Sequence, residues 1–321
     1  MNAQRLSLDL SLVSQTISHM SLAAPFSAPT PRQPGAESEI SYAAPFTYHP
    51  PDAAGLPLVF ASPHSGQYYP EAMRQALCVP LIDLQRTEDA FVDELISPVT
   101  EVGAGKLIAR YARGFVDLNR DPLELDRRMF DGPPPRRCGL PGPRVEAGLG
   151  CIPRVGARGH TIYRTRLAPI EGEARLRDVH DAYHTHLSGE LRRLRAEHGV
   201  SFLIDCHSMP SRQPGRRPLA DIVLGDRFGS SCTSKLTAVV EDKFRKLGYR
   251  VVRNAPYAGG YTTLRYGRPR HDIHALQIEI RRDLYMDELK VQRSGMFPRM
   301  ASDMSQVISA ISAFVARQTK R

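Results

Sequence analysis

The sequence predicts an α/β fold of three layers, α/β/α, with helices on both faces of a mostly parallel or mixed sheet. Three observations lead there. Short apolar runs rich in β-branched and aromatic residues recur along the chain and stop at polar residues, as buried strands do where they enter loops. Longer segments between them carry apolar residues three or four apart, the period of an amphipathic helix. Strands that alternate with helices in this way pack as one sheet between two helical layers.

Taken in order, residues 1–40 are rich in Ser, Pro and Ala and read as a disordered N-terminal extension. They lack the continuous apolar stretch of a secretion signal. The organised chain is read as a single domain over residues 41–321. A first strand is expected at residues 57–61. Residues 83–102 look helical, with Phe91, Leu95 and Val99 on one face and Pro98 as a kink or stop. Residues 106–111 and 114–118 read as two short strands. Residues 131–169 are rich in proline and glycine and have little periodicity, so they read as a long irregular excursion, either a rim over a site or a plain surface insertion. A strong amphipathic helix is expected over 171–197, where Leu176, Val179, Tyr183, Leu187, Leu191 and Leu194 share a face. Strands at 200–206, 221–224, 249–253 and 274–280 follow, with helices at 232–247 and 296–316.

Bulk composition narrows the function. The 41% apolar and 24% charged residues are ordinary for a soluble globular protein. The formal charge of +9 admits nucleic acid, an acidic membrane surface or a small anionic substrate as partner. The basic residues are scattered, without a long run or interleaved aromatics, which argues against nucleic acid. No apolar stretch is long enough for a membrane helix. A small anionic substrate is left as the expected partner. Five cysteines without a CxxC pair suggest free thiols in a reducing compartment, the cytoplasm.

Two histidines stand out. His64 closes the run PLVFASPH and His207 closes VSFLIDCH, so each sits where a buried strand ends. Ligands of open α/β sheets bind at the carboxyl ends of strands, so the two can meet. A catalytic zinc takes three protein ligands and keeps one open position. One Zn2+ per chain is therefore expected, with Asp89 as third ligand and the adjacent Glu88 as alternative. Asp205, two residues before His207, could hold the other N–H of an imidazole. Glu279, between Ile278 and Ile280 in a strand, is the candidate general base, unless it simply pairs with an arginine such as Arg281. In DLNRDP, Asn119 and Arg120 together suit a carboxylate clamp.

These motifs carry a resemblance. PHSG, DLNRDP, DCHS, YTTLRYGRP and HALQIEIRRDLYMDE follow one another as in the N-formylglutamate amidohydrolase family, from about residue 43 to the end. The resemblance implies a zinc hydrolase of carboxypeptidase-like fold that cleaves N-formyl-L-glutamate to formate and L-glutamate in histidine degradation. It implies His64 and His207 as metal ligands, Asn119 and Arg120 as substrate-carboxylate ligands, and Glu279 as base. One departure from the wider carboxypeptidase pattern concerns the position three after His64, which is Gln67, a poor zinc ligand; this favours Asp89. Because N-formylglutamate has two carboxylates, a second cationic clamp is expected from Arg265, Arg268 or Arg281. Gly259 and Gly260 suggest a tight loop near the ligand. Two other readings stand beside this one. The first is a deacylase of another N-acyl amino acid or small acidic peptide. The second is a non-catalytic binder of an acidic partner.

Overall fold

The computed structural model describes residues 41–52, 55–135, 138–157, 159–212 and 220–319, and the extension expected at residues 1–40 lies outside them. The strands of the main sheet are β1 (Phe46–His49), β2 (Leu58–Ser62), β3 (Gly105–Ala109), β4 (Ser201–Met209), β5 (Ile222–Gly225), β6 (Val251–Arg253) and β7 (Ile273–Arg281). They form a mixed sheet in the order β1-β3-β2-β4-β7-β5-β6. The centre β3-β2-β4-β7 is parallel. Antiparallel pairs β1–β3 and β7–β5 flank it, with β6 parallel to β5.

Side chains alternate across a strand, and each face of this sheet has its own core. Phe202, Ile204, Cys206, Leu276, Ile278 and Ile280 enter one buried cluster, which draws further side chains from helices Ser234–Lys246 and Phe297–Gln318. Val59, Ala61, Leu203 and Ala275 enter the other. Helix Ala182–His198 and side chains from the irregular segment close that second face. Helices thus cover both faces, as expected. Among the described residues no helix is long and apolar enough to cross a membrane.

The parallel centre positions the site. Register sets Ala61 beside Asp205, Asp205 beside Gln277, and His207 beside Glu279. On the second face the period of two runs from Leu203 to Asp205 and His207, and from Ala275 to Gln277 and Glu279. Apolar core thus gives way to polar side chains at the carboxyl end of the same face.

Several elements differ from expectation. The helix expected over 83–102 is three short pieces, Leu81–Gln85, Val92–Leu95 and a 3-10 turn at Ser97–Val102. Phe91 lies at a φ of 66°, which no helix interior accommodates. The break frees the Asp89 amide to donate to the carbonyl of His64 at 3.0 Å. Pro98 opens the 3-10 turn instead of ending a helix. Residues 114–118 are a loop, because their amides turn to nearby or distant loop carbonyls; Asp117 N–H, for example, donates to Cys151 O at 2.7 Å. β1 escaped the sequence reading because it is a half-exposed edge strand. The helix expected over 171–197 is helix Pro169–Arg175, a π turn at Leu176–Asp181 and helix Ala182–His198. The 131–169 excursion holds a single helical turn, Pro143–Glu146, among its described residues, and borders the cleft described next.

Candidate active site

A cleft of about 620 Å³ opens at the carboxyl ends of β2, β4 and β7. At its base His64, Asp89 and His207 meet, all buried. His207 Nδ1 lies 2.9 Å from Asp89 Oδ2 and 3.2 Å from His64 Nδ1. His64 Nδ1 lies 3.3 Å from the same carboxylate oxygen. A tetrahedral zinc with bonds of about 2.0–2.1 Å holds its donors about 3.3 Å apart. Two imidazole nitrogens and one carboxylate oxygen in this triangle are a donor set that fits such an ion.

The far side of each ring is also held. His64 Nε2–H donates to Asp117 Oδ1 at 2.7 Å, which leaves the Nδ1 lone pair facing the triangle. Asp117 is itself fixed by Arg113 Nη2 at 2.7 Å and by the Asn119 amide at 2.9 Å. Burial would raise the Asp117 pKa, but the charges of Arg113, His64 and Arg120 hold it well below the usual carboxylate range. His207 Nε2 stands 3.0 Å from Asp205 Oδ2 and 3.1 Å from Asn119 Nδ2. Burial disfavours a charged His207, but Asp205, Asp89 and Glu279 outweigh it and raise its pKa well above the ordinary range. Burial opposes ionisation of Asp89 too, yet hydrogen bonds and charge from His207 and His64 keep its pKa well down. Arg282 adds a bond to Asp89 Oδ1 at 3.0 Å.

Glu279 lies beside His207 across the β4–β7 pair and accepts from Gln277 Nε2 at 2.7 Å. Its carboxyl does not pair with Arg281, which instead meets Asp221 and Asp283 at 2.7 and 2.6 Å. Burial pushes the Glu279 pKa up to about 7, with Asp89 adding and His207, Arg113 and Arg282 opposing. Glu88, the alternative third ligand, stands outside the triangle and accepts from the Tyr69 hydroxyl. Gln67 is exposed and does not line the cleft.

The family model for N-formylglutamate amidohydrolase matches residues 56–286. The chain belongs to this family. It is 34% identical to the N-formylglutamate deformylase of Pseudomonas aeruginosa over 73% of this chain and 83% of that protein. The Pseudomonas putida N-formylglutamate deformylase is 30% identical over 83% of this chain and 96% of its own. Among solved structures, the N-formylglutamate amidohydrolase of Ralstonia eutropha JMP134 superposes with a TM-score of 0.81 at 35% identity, covering 86% of this chain and 99% of that one.

In this amidohydrolase-family chain, Asn119 and Arg120 line the cleft. The Asn119 amide is already engaged, accepting from Thr262 N–H at 2.8 Å while its nitrogen faces His207. Gly260 packs so close to that amide that a Cβ would overlap it. Arg265, Arg268 and Arg281, the candidates for the second clamp, do not line the cleft. Arg265 donates to the Tyr261 hydroxyl at 2.6 Å and lies over the Tyr261 and Tyr266 rings. Arg268 donates to the carbonyls of Leu264 and Gly267 at 2.7 Å, and Arg281 is held by its two carboxylates.

Besides Arg120, the cleft is lined by arginines the sequence reading did not single out, among them Arg113, Arg144 and Arg282. That reading also missed two histidines below the DLNR loop. His184 Nε2–H donates to Leu118 O at 2.8 Å, and its Nδ1 lies 2.8 Å from the Tyr266 hydroxyl. Burial, and then the charge of His180, hold the His184 pKa well below its usual value. His180 Nε2–H donates to Arg120 O at 3.0 Å. Asn119 is thus braced through the carbonyls on both sides. The signal was available as two histidines four apart on a helix face, but the helix face also reads as plain core.

Proposed function

We propose that this chain hydrolyses N-formyl-L-glutamate to formate and L-glutamate, with a divalent metal, zinc, held by His64, Asp89 and His207. The observation that carries the reading is the three-donor triangle with Glu279 beside it and the Arg120 guanidinium in the same cleft. When bound, the metal would polarise the formyl carbonyl and acidify a water molecule.

The chain's own groups do the rest. Glu279, with a pKa near neutrality, accepts the proton of the attacking water as the new C–O bond forms. The same carboxyl then gives that proton to the amide nitrogen as the C–N bond breaks, so that glutamate leaves as a neutral amine. Asp117 holds His64 in the tautomer that turns Nδ1 to the metal, and Asp205 Oδ2, 3.0 Å from His207 Nε2, is placed to do the same for His207. Arg120 grips the α-carboxylate next to the scissile amide. The proposal extends to cytoplasmic histidine degradation, where this reaction is the closing step of one route.

The size of the cleft favours a second reading. At about 620 Å³ it exceeds the volume of N-formylglutamate, and a longer N-acyl group or a small acidic peptide would fill more of it. The experiment is glutamate release from N-formyl- and N-acetyl-L-glutamate, with chelator and with zinc restored. Chelator-sensitive release from the formyl compound alone is the expected result. Faster release from the acetyl compound moves the substrate, and release that survives chelation rejects the metal.

A further inference from the structure

Five guanidinium groups line the cleft, and their partners divide them. Arg113 is tied to Asp117 at 2.7 Å and Arg282 to Asp89 at 3.0 Å. Arg86 is tied to Asp83 at 2.8 Å and to the carbonyl of Leu289. Arg120 and Arg144 have no carboxylate in ion-pair reach among the described residues. Arg120 spends one Nη on the carbonyl of Asn119, and its Nε is buried without a partner. Arg144 stands on the helical turn Pro143–Glu146 of the rim, exposed, with the buried Val145 beside it as anchor. The two cations are close enough to feel one another. Burial, followed by the charges of Arg113 and Arg144, lowers the Arg120 pKa against the pull of Asp117. Two guanidinium groups without an ion-pair partner in one cleft suit a ligand that brings two negative charges.

Position separates their tasks. Arg120 follows Asn119, whose amide reaches His207, so it lies at the reacting end. Arg144 belongs to the rim. In an N-acyl glutamate the α-carboxylate is one carbon from the amide nitrogen and the side-chain carboxylate is two carbons further along. We propose that Arg144 is the specificity-determining residue of this cleft, its guanidinium taking the side-chain carboxylate while Arg120 takes the α-carboxylate. The assignment rests on the function proposed above, and it replaces the clamp expected from Arg265, Arg268 or Arg281.

The test compares N-formyl-L-glutamate with N-formyl-L-glutamine, which keeps the α-carboxylate and loses the second charge. A charge-assisted bidentate contact predicts that Arg144→Ala lowers kcat/KM for the glutamate compound by roughly 10- to 100-fold, mostly through KM. The glutamine compound should lose much less, and Arg144→Lys should recover part of the loss. An equal loss for both compounds, or none for either, overturns the assignment. Calorimetric titration of the zinc-loaded protein with L-glutamate and with L-glutamine gives a readout independent of turnover. If the wild type cleaves neither formyl compound, the proposed reaction fails, and titration still decides the role of Arg144. Tighter binding of glutamate that disappears in Arg144→Ala supports the role. Equal binding of the two amino acids, or binding of neither, overturns it.

Discussion

The two faces of β4 and β7 are made of alternate residues of the same strands, yet they do different work. On one face Ile204, Cys206, Leu276 and Ile278 stay apolar to the carboxyl end and are sealed by two long helices. On the other, Leu203 and Ala275 give way to Asp205, His207, Gln277 and Glu279. The cover there is irregular, built from loops and short turns that leave a cleft. The difference teaches that the sealed face supplies the rigidity and the open face spends it. Buried polar groups such as Glu279 carry a desolvation cost that a firmly packed opposite face can offset.

The sharpest way to break this division is Glu279→Gln. If the open face holds the base, turnover should fall by roughly 10²- to 10⁴-fold while zinc content stays at the wild-type level. A rate near wild type would remove Glu279 from the mechanism. In the wild type, kcat/KM should rise with pH through about 7, because the base acts only when ionised and burial has moved its pKa there. That limb should vanish in the residual activity of the variant.

A smaller effect is expected one step back from the triangle. Asp117→Asn keeps the shape but weakens the hold on His64 Nε2–H, so zinc affinity measured by competition with a chelator should drop about 10- to 100-fold. Unchanged affinity would mean that Asp117 serves Arg113 and the loop, and not the ligand. The least effect on chemistry belongs to the sealed face. Ile278→Ala, one residue from Glu279, should cost about 2–5 kcal/mol of stability in denaturant melts. Its kcat at a temperature where the variant remains folded should match the wild type. A large loss of kcat there would show that the two faces are not separable.

The same division explains what was legible beforehand. His64, His207 and Glu279 stand out because each is a polar residue at the end of an apolar strand, and the period of a strand is short enough to read by eye. Asp89 was found by its nearness to His64 in the chain, although the helix assigned around it does not form. Phe91 reverses its φ there, and nothing in the periodicity of Phe91, Leu95 and Val99 signals such a break. Which arginines line the cleft was less legible, for another reason. Whether a guanidinium is free or tied depends on which carboxylates pack beside it, as Asp221 and Asp283 do for Arg281 and Asp117 does for Arg113. Those are meetings across long stretches of chain or within irregular loops. Arg144 lies in a segment without any period at all.

The π turn at Leu176–Asp181 has a consequence for chain length. Such a turn carries one residue more than the α-helix it interrupts. Each residue of an α-helix advances about 100° around its axis, so deleting one between His180 and His184 would turn His180 away from His184 by that angle. The two rings now hold the carbonyls of Arg120 and Leu118 together, and the shorter helix could keep only one of them in place. This stretch therefore constrains the number of its residues as firmly as their identity. Over evolutionary time it should accept substitutions on its outer side well before it accepts a gap, while the rim that carries Arg144 can grow and shrink.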